Sequence, residues 1–248
     1  MLVSADRFEE FTLVDVVSPS RWRTLGQGVW CYLRSAPWTF SWLLLLLITT
    51  TIQHSVSRAT LESLLAARST NLHHLATDPL HVLVSSLFWI DGYFWLPYLL
   101  MFCVFHAPAE RWLGAWRWAV VGLTAHVVAT YISEGLLWIA IRQGLADSSL
   151  VDARDIGVSY FLAAIVGVLT YHIAFPWRWV YLFLILAWFG VPVIIDPGLT
   201  GIGHLSSMII GLAFYPLARG SERPEWNPAA LYLRVRGAVS KRASNDIA

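Results

Sequence analysis

The chain has 248 residues, 57% hydrophobic and 13% charged, with 14 tryptophans and a formal net charge of +1. Soluble domains carry about a quarter charged residues, so the composition argues against an ordinary soluble domain, and the small net charge offers no field for nucleic acid. Two cysteines, Cys31 and Cys103, leave no basis for a disulfide framework or a cysteine-based metal site.

Residues 1–20 mix acids and bases ahead of any apolar run. A cleavable signal peptide has a basic start and a short apolar core instead, so the first apolar segment is expected to direct insertion. Hydropathy then predicts six spans: Pro37–Gln53, Phe88–Phe105, Trp118–Ile141, Ile156–Ile173, Trp177–Ile195 and Leu199–Leu217. Each is near the ~20 residues needed to cross the hydrocarbon as a helix, and backbone groups in lipid demand such helices. The expected fold class is all-α, a polytopic membrane protein with a six-helix bundle. Residues 1–36 form a cytoplasmic segment with an interfacial part, 37–218 the membrane domain, and 219–248 a basic cytoplasmic tail.

Orientation follows from the cations. With the N-terminus inside, thirteen of the 17 Lys and Arg residues fall on inner segments. This asymmetry places both termini in the cytoplasm and the chain in the plasma membrane. Trp22, Trp30, Trp38, Trp112, Trp116, Trp118, Trp177 and Trp179 lie near inner boundaries and are expected to form an interfacial belt. In the first outer loop, Thr60–Arg68 has helical spacing and predicts a short helix in the outer interface. The outer loop from Gln143 to Asp155 reads as solvated, and Glu134 as reaching headgroups. Leu231–Arg236 in the tail reads either as a contact with anionic lipid or as solvated chain.

Two polar residues stand out. Ser159 lies about one turn into the fourth span and His204 a little over one turn into the sixth. A lone serine in such a helix usually bonds a carbonyl one turn back, whereas an intramembrane histidine is costly and points to function. Both spans run from outside to inside, which puts the two at similar depth. Gly157 and Gly167 on the fourth span, with Gly203 and Gly211 on the sixth, supply the small residues that let helices approach. In contact, neutral His204 would take the Ser159 proton, the alkoxide would attack a peptide carbonyl, and the imidazolium would protonate the leaving amine. N–H groups at the helix start would receive the oxyanion. Among the other polar groups, His126 reads as an interhelical hydrogen-bonding residue. His73, His74 and His81 read as loop residues, and Asp196 as a turn residue. No metal or cofactor site is expected.

Gly157-Val-Ser159 followed by Gly167, together with His204-Leu-Ser-Ser-Met-Ile-Ile-Gly211, resembles the rhomboid intramembrane serine proteases. Glu110-Arg-Trp-Leu-Gly114 resembles that family's Glu-x-x-x-Gly turn. Ser69-Thr-Asn-Leu72, Leu80–Phe88 and Gly157-Val-Ser-Tyr160 are similar to rhomboid-like membrane proteins common in actinobacteria. The resemblance implies Ser159 as nucleophile, His204 as base, single-span membrane proteins as substrates, and no cofactor. Departures from the pattern are specific. Tyr160 stands where a glycine follows the nucleophile, Ser207 replaces a glycine, and Ala163 replaces a tyrosine beside the histidine. The second span lacks the family's His and Asn oxyanion donors, leaving backbone N–H groups, Tyr98 or Trp95. Losing one such donor costs ~10²–10³ in rate. A pseudoprotease that binds transmembrane clients is therefore the alternative. A small transporter is a weaker third reading, because no pair of broken helices is evident.

Overall fold

The computed structural model describes residues 19–92, 94–221, 225–233 and 236. The readings of the first eighteen residues and of most of the tail lie outside these. Among the described residues, regular structure is helical, apart from an isolated bridge between Ile173 and Trp226.

α1 (Pro19–Ser35) and α2 (Pro37–Ser55) meet at Ala36, and the chain bends there by 97°. Pro37 occupies the first position of α2, where a missing N–H costs nothing. The next two N–H groups, of Trp38 and Thr39, donate to the Glu110 carboxylate at 3.1 and 2.7 Å. Glu110 lies on α7 (Ala107–Leu113), which ends at Gly114 with φ +84°. A side chain at that φ would be strained. The Glu-x-x-x-Gly stretch thus ties α7 to the start of α2 and turns the chain into the next helix, α8 (Ala115–Arg142).

Three short helices follow α2: α3 (Arg58–Ala66), α4 (Leu72–Thr77) and α5 (Pro79–Ser85). α3 is the helix expected near Thr60–Arg68, and it buries Leu61 and Leu65 against the protein. Ser57, Asn71 and Asp78 cap the three N-termini by accepting backbone N–H bonds.

The second predicted span is displaced. α6 begins at Trp95 (Trp95–Met101), not at Phe88, and runs through a π-helical turn, Phe102–His106, into α7. Gly92 adopts φ +99° in the turn before it, and Pro97 fits only the first helical turn. The apolar run from Phe88 is therefore broken between Ile90 and Trp95. Below the break sits an aromatic knot around Trp42. Its ring lies 4.8–6.0 Å from those of Phe161, Phe102, His106 and Trp118, and its N–H donates to Leu87 O at 2.9 Å. Two tryptophans assigned to the interfacial belt, Trp112 and Trp118, are buried in the core. Rings of this size fill interhelical space as readily as they fill an interface. Trp30, Trp38, Trp116, Trp177 and Trp179 are exposed.

α8 (Ala115–Arg142) and α10 (Trp177–Ile195) are each long and apolar enough to cross a bilayer, and the bent α1–α2 pair makes a third candidate. α9 (Val158–Val168) and α11 (Leu199–Ala213) are shorter apolar helices. α9 continues as a 3₁₀ turn to His172, and α11 leads through Phe214 into α12 (Tyr215–Arg219). α9 is the most enclosed element, with nine of its 11 residues buried, whereas α10 buries Ile185 alone.

Candidate active site

The glycines set the spacing of α9 and α11. A Cβ on Gly211 would collide with the backbone of Ala164, and one on Gly167 with the carbonyl of Met208. A Cβ on Gly203 would strike the phenol of Tyr160. As the chain advances from Tyr160 to Gly167, its contacts on α11 advance from Gly203 to Met208. The two helices therefore run parallel, with their backbones in contact. Ser207, at the position of a family glycine, is accommodated because its hydroxyl donates to the Tyr160 carbonyl.

Ser159 is the second residue of α9, next to Tyr160, whose ring reaches Gly203 and His204 of α11. Its hydroxyl donates to Ile156 O at 3.4 Å, a bond one turn back along its own chain. The His204 ring meets Tyr160 edge-on, with centroids 5.3 Å apart, and lies 6.3 Å from Phe189 of α10. No hydrogen bond joins Ser159 to His204 or Tyr98. Tyr98 is half-buried on α6 against the aromatic core. The Trp95 N–H is engaged by Leu43 O at 3.1 Å, which removes it as an oxyanion donor in this arrangement. Of the N–H groups that open α9, that of Tyr160 already donates to Gly157 O at 3.1 Å, and those of Val158 and Ser159 have no carbonyl within the helix to meet.

Tyr160 is the side chain around which this region packs. It is fully buried, and its hydroxyl lies against Asp155 and Ser133 without a hydrogen bond of regular geometry. Ala163, in place of the family's ring, is also buried. Tyr160 therefore supplies, from about one turn earlier on α9, an aromatic surface for His204. Gly157 has its own constraint, since a Cβ there would overlap the His126 ring. His126 meets Leu83 O at 2.9 Å through Nε2, the interhelical bond expected of it.

Two acids lie elsewhere than the sequence suggested. Asp155, read as a solvated loop residue, is 2% exposed. Its carbonyl accepts from Thr70 N at 3.0 Å, its N–H donates to Ser69 Oγ at 2.8 Å, and its carboxylate accepts from Thr70 Oγ1 at 3.1 Å. Burial pushes its pKa up to about 6, against the opposing pull of its hydrogen bonds. Glu134, expected among headgroups, is 1% exposed and faces the N–H of Leu72. Neither of its carboxylate oxygens has a hydrogen-bond partner of regular geometry. Segment 69–72 covers both acids, so it latches the first inter-helix connection onto the entrance of α9. The Ser-Thr-Asn stretch was visible in the sequence, but its partner was not, because Thr70 and Asp155 are 85 positions apart. Asp196 sits in the turn expected of it, its carbonyl accepting from Gly198 N at 2.7 Å.

The fold is a helical bundle with several helices apolar enough for a membrane, built around a parallel α9–α11 pair that has glycines at its contact. Residues 31–224 match the family model described as Rhomboid-like protein, and the chain belongs to that family. A search of curated proteins and a search of solved structures found no match.

Proposed function

We propose that this protein is an intramembrane serine protease with Ser159 as nucleophile and His204 as general base. The reading extends to six spans, with both termini cytoplasmic in the plasma membrane. Single-span membrane proteins are cleaved near the outer face, without a cofactor. The observation that carries it is the α9–α11 seam. Its glycines bring the two backbones together, and His204 of α11 packs against Tyr160, the residue after Ser159. Rotation about the Ser159 Cα–Cβ bond releases its hydroxyl from Ile156 O and offers it to a base. Catalytic hydrogen bonds commonly tighten only once substrate is bound. N–H groups at the start of α9 receive the oxyanion, taking over from the missing side-chain donors.

A second reading is favoured by a specific observation. The Ser159 hydroxyl is engaged by its own helix, and the His204 ring rests on Tyr160. A rhomboid-fold pseudoprotease that holds transmembrane clients needs nothing more. The two readings part on covalent chemistry. Purified protein in detergent is expected to label with a fluorophosphonate probe, and Ser159→Ala to abolish the labelling. Labelling that survives Ser159→Ala, or wild-type protein that never labels while clients still co-purify, decides against the protease.

A further inference from the structure

Segment 69–72 and the entrance of α9 close over two acids. Asp155 and Glu134 are both buried, and Glu134 feels the charge of Asp155. Neither oxygen of Glu134 has a hydrogen-bond partner of regular geometry. A buried carboxylate is costly without a cation, and a second beside it adds repulsion. The fastening itself is short. Thr70 N–H donates to Asp155 O at 3.0 Å, Thr70 Oγ1 to the Asp155 carboxylate at 3.1 Å, and Asp155 N–H to Ser69 Oγ at 2.8 Å.

The charged and titratable groups around the pair do little to neutralise it. Arg154, next in the chain, is taken up by Asp91 at 3.3 Å. Asp91 faces Asp155 as a further negative group and lies near Tyr98 of α6. Arg68 donates to Leu64 O at 2.9 Å and lies over the Trp89 ring. From α8, His126 meets Leu83 O at 2.9 Å. From α4, His74 Nδ1 meets Ser69 O at 3.1 Å. From α9, the buried Tyr160 hydroxyl points at Asp155 without a hydrogen bond of regular geometry.

We propose that Asp155 and Glu134 form a proton-operated latch. Protonated, the pair keeps segment 69–72 closed over the entrance of α9; ionised, it lets the segment open so that the carboxylates reach water. The latch does not depend on any chemistry at Ser159. It adjoins that residue's surroundings, because Asp155 lies against Tyr160 and the Tyr160 ring carries His204.

The direction follows from burial. Closed, Asp155 has a pKa of about 6; hydrated, it titrates near ~3.9. The closed latch therefore binds more protons than the open one, and it loosens as pH rises through about 6. The whole effect is about a hundredfold in the opening equilibrium, and about tenfold of it falls between pH 5 and pH 8.

Amide hydrogen exchange tests it, on the full-length protein in detergent at these two pH values, after correction for the intrinsic exchange rate. Protection of the Thr70 and Asp155 amides should fall about tenfold from the lower pH to the higher. It should stay below that of the α11 amides at both, which marks the opening as local. Asp155→Asn should abolish the fall. Glu134→Gln, which leaves Asp155 in place, should lessen it. His74→Gln should preserve it, although His74 touches the same segment. Protection that does not change with pH, or a fall that survives Asp155→Asn or disappears in His74→Gln, would overturn the proposal. So would a fall undiminished by Glu134→Gln, or latch amides as protected as those of α11.

Discussion

The α9–α11 pair and α10 are neighbouring apolar elements built on opposite principles. α9 and α11 meet backbone to backbone, with glycines where any side chain would collide. α10 is as apolar as α9, yet it buries Ile185 alone and exposes Phe183, Leu184 and Trp188. Apolar content alone therefore does not say whether a membrane helix meets lipid or protein. Small residues mark the protein contact, because lipid gives large apolar side chains no reason to leave it. The residues that carry the proposed chemistry sit on the seam, where position is fixed, and not on the helix that presents itself to lipid.

Substitutions can break this contrast, beginning with the seam. Gly211→Leu must displace the Ala164 carbonyl, a backbone atom that cannot swing away. Overpacking of this kind costs about 3 kcal/mol or more. The expected outcome is loss of the thermal unfolding transition, or a large fall in its midpoint, in detergent. A Gly211→Leu protein as stable as the wild type would contradict the seam.

A smaller effect is expected at the entrance to α9. Asp155 has a folded pKa of about 6, raised chiefly by burial. The unfolded carboxyl titrates near the ordinary aspartate value, ~3.9. Between these values the folded state binds more protons than the unfolded one. Its contribution to stability is therefore full at the acid end and is lost as pH rises through about 6. The amount is on the order of 1–3 kcal/mol. Glu134, Tyr160 and the Asp91–Arg154 ion pair face or flank this group. Asp155→Asn should flatten the dependence of the unfolding midpoint on pH across this window. An unaltered profile would move the source elsewhere.

The smallest effect is expected on α10. Leu184 is 58% exposed, so Leu184→Ala should change the unfolding midpoint by no more than about 0.5 kcal/mol equivalent. A loss approaching that of Gly211→Leu would mean that α10 packs as tightly as the seam.

The sequence shows these regions with unequal clarity. α10 was legible to its end residues, because a 19-residue segment that is apolar but for Arg178 has few other readings. The seam was legible through Gly167 and Gly211, which face another backbone, and Gly203, which makes room for the Tyr160 ring. The second span was misplaced because Trp89–Phe94 is as apolar as a helix, while Gly92 imposes a turn that hydropathy does not weigh. Asp155 and Glu134 looked like solvated acids because polar residues beside an apolar segment usually are. Asp155 meets Ser69 and Thr70, and Glu134 meets Leu72, partners that only the folded chain brings near. Trp112 and Trp118 were assigned to the interface by position along the chain, but the direction of their rings was decided by His172 and His106. Most of the fold was therefore written in local pattern. The surroundings of the candidate site were written in long-range pairs that pattern does not reveal.

The central claim, that the seam holds a working Ser159–His204 pair, is tested most directly by proteolysis in liposomes. A single-span reporter protein is reconstituted with the wild-type chain, Ser159→Ala or His204→Ala, and cleavage is followed by mass spectrometry. The account predicts a cut in or near the reporter's membrane segment with the wild type, and none with either variant. An intact reporter with the wild type, or the same cut with both variants, would contradict it.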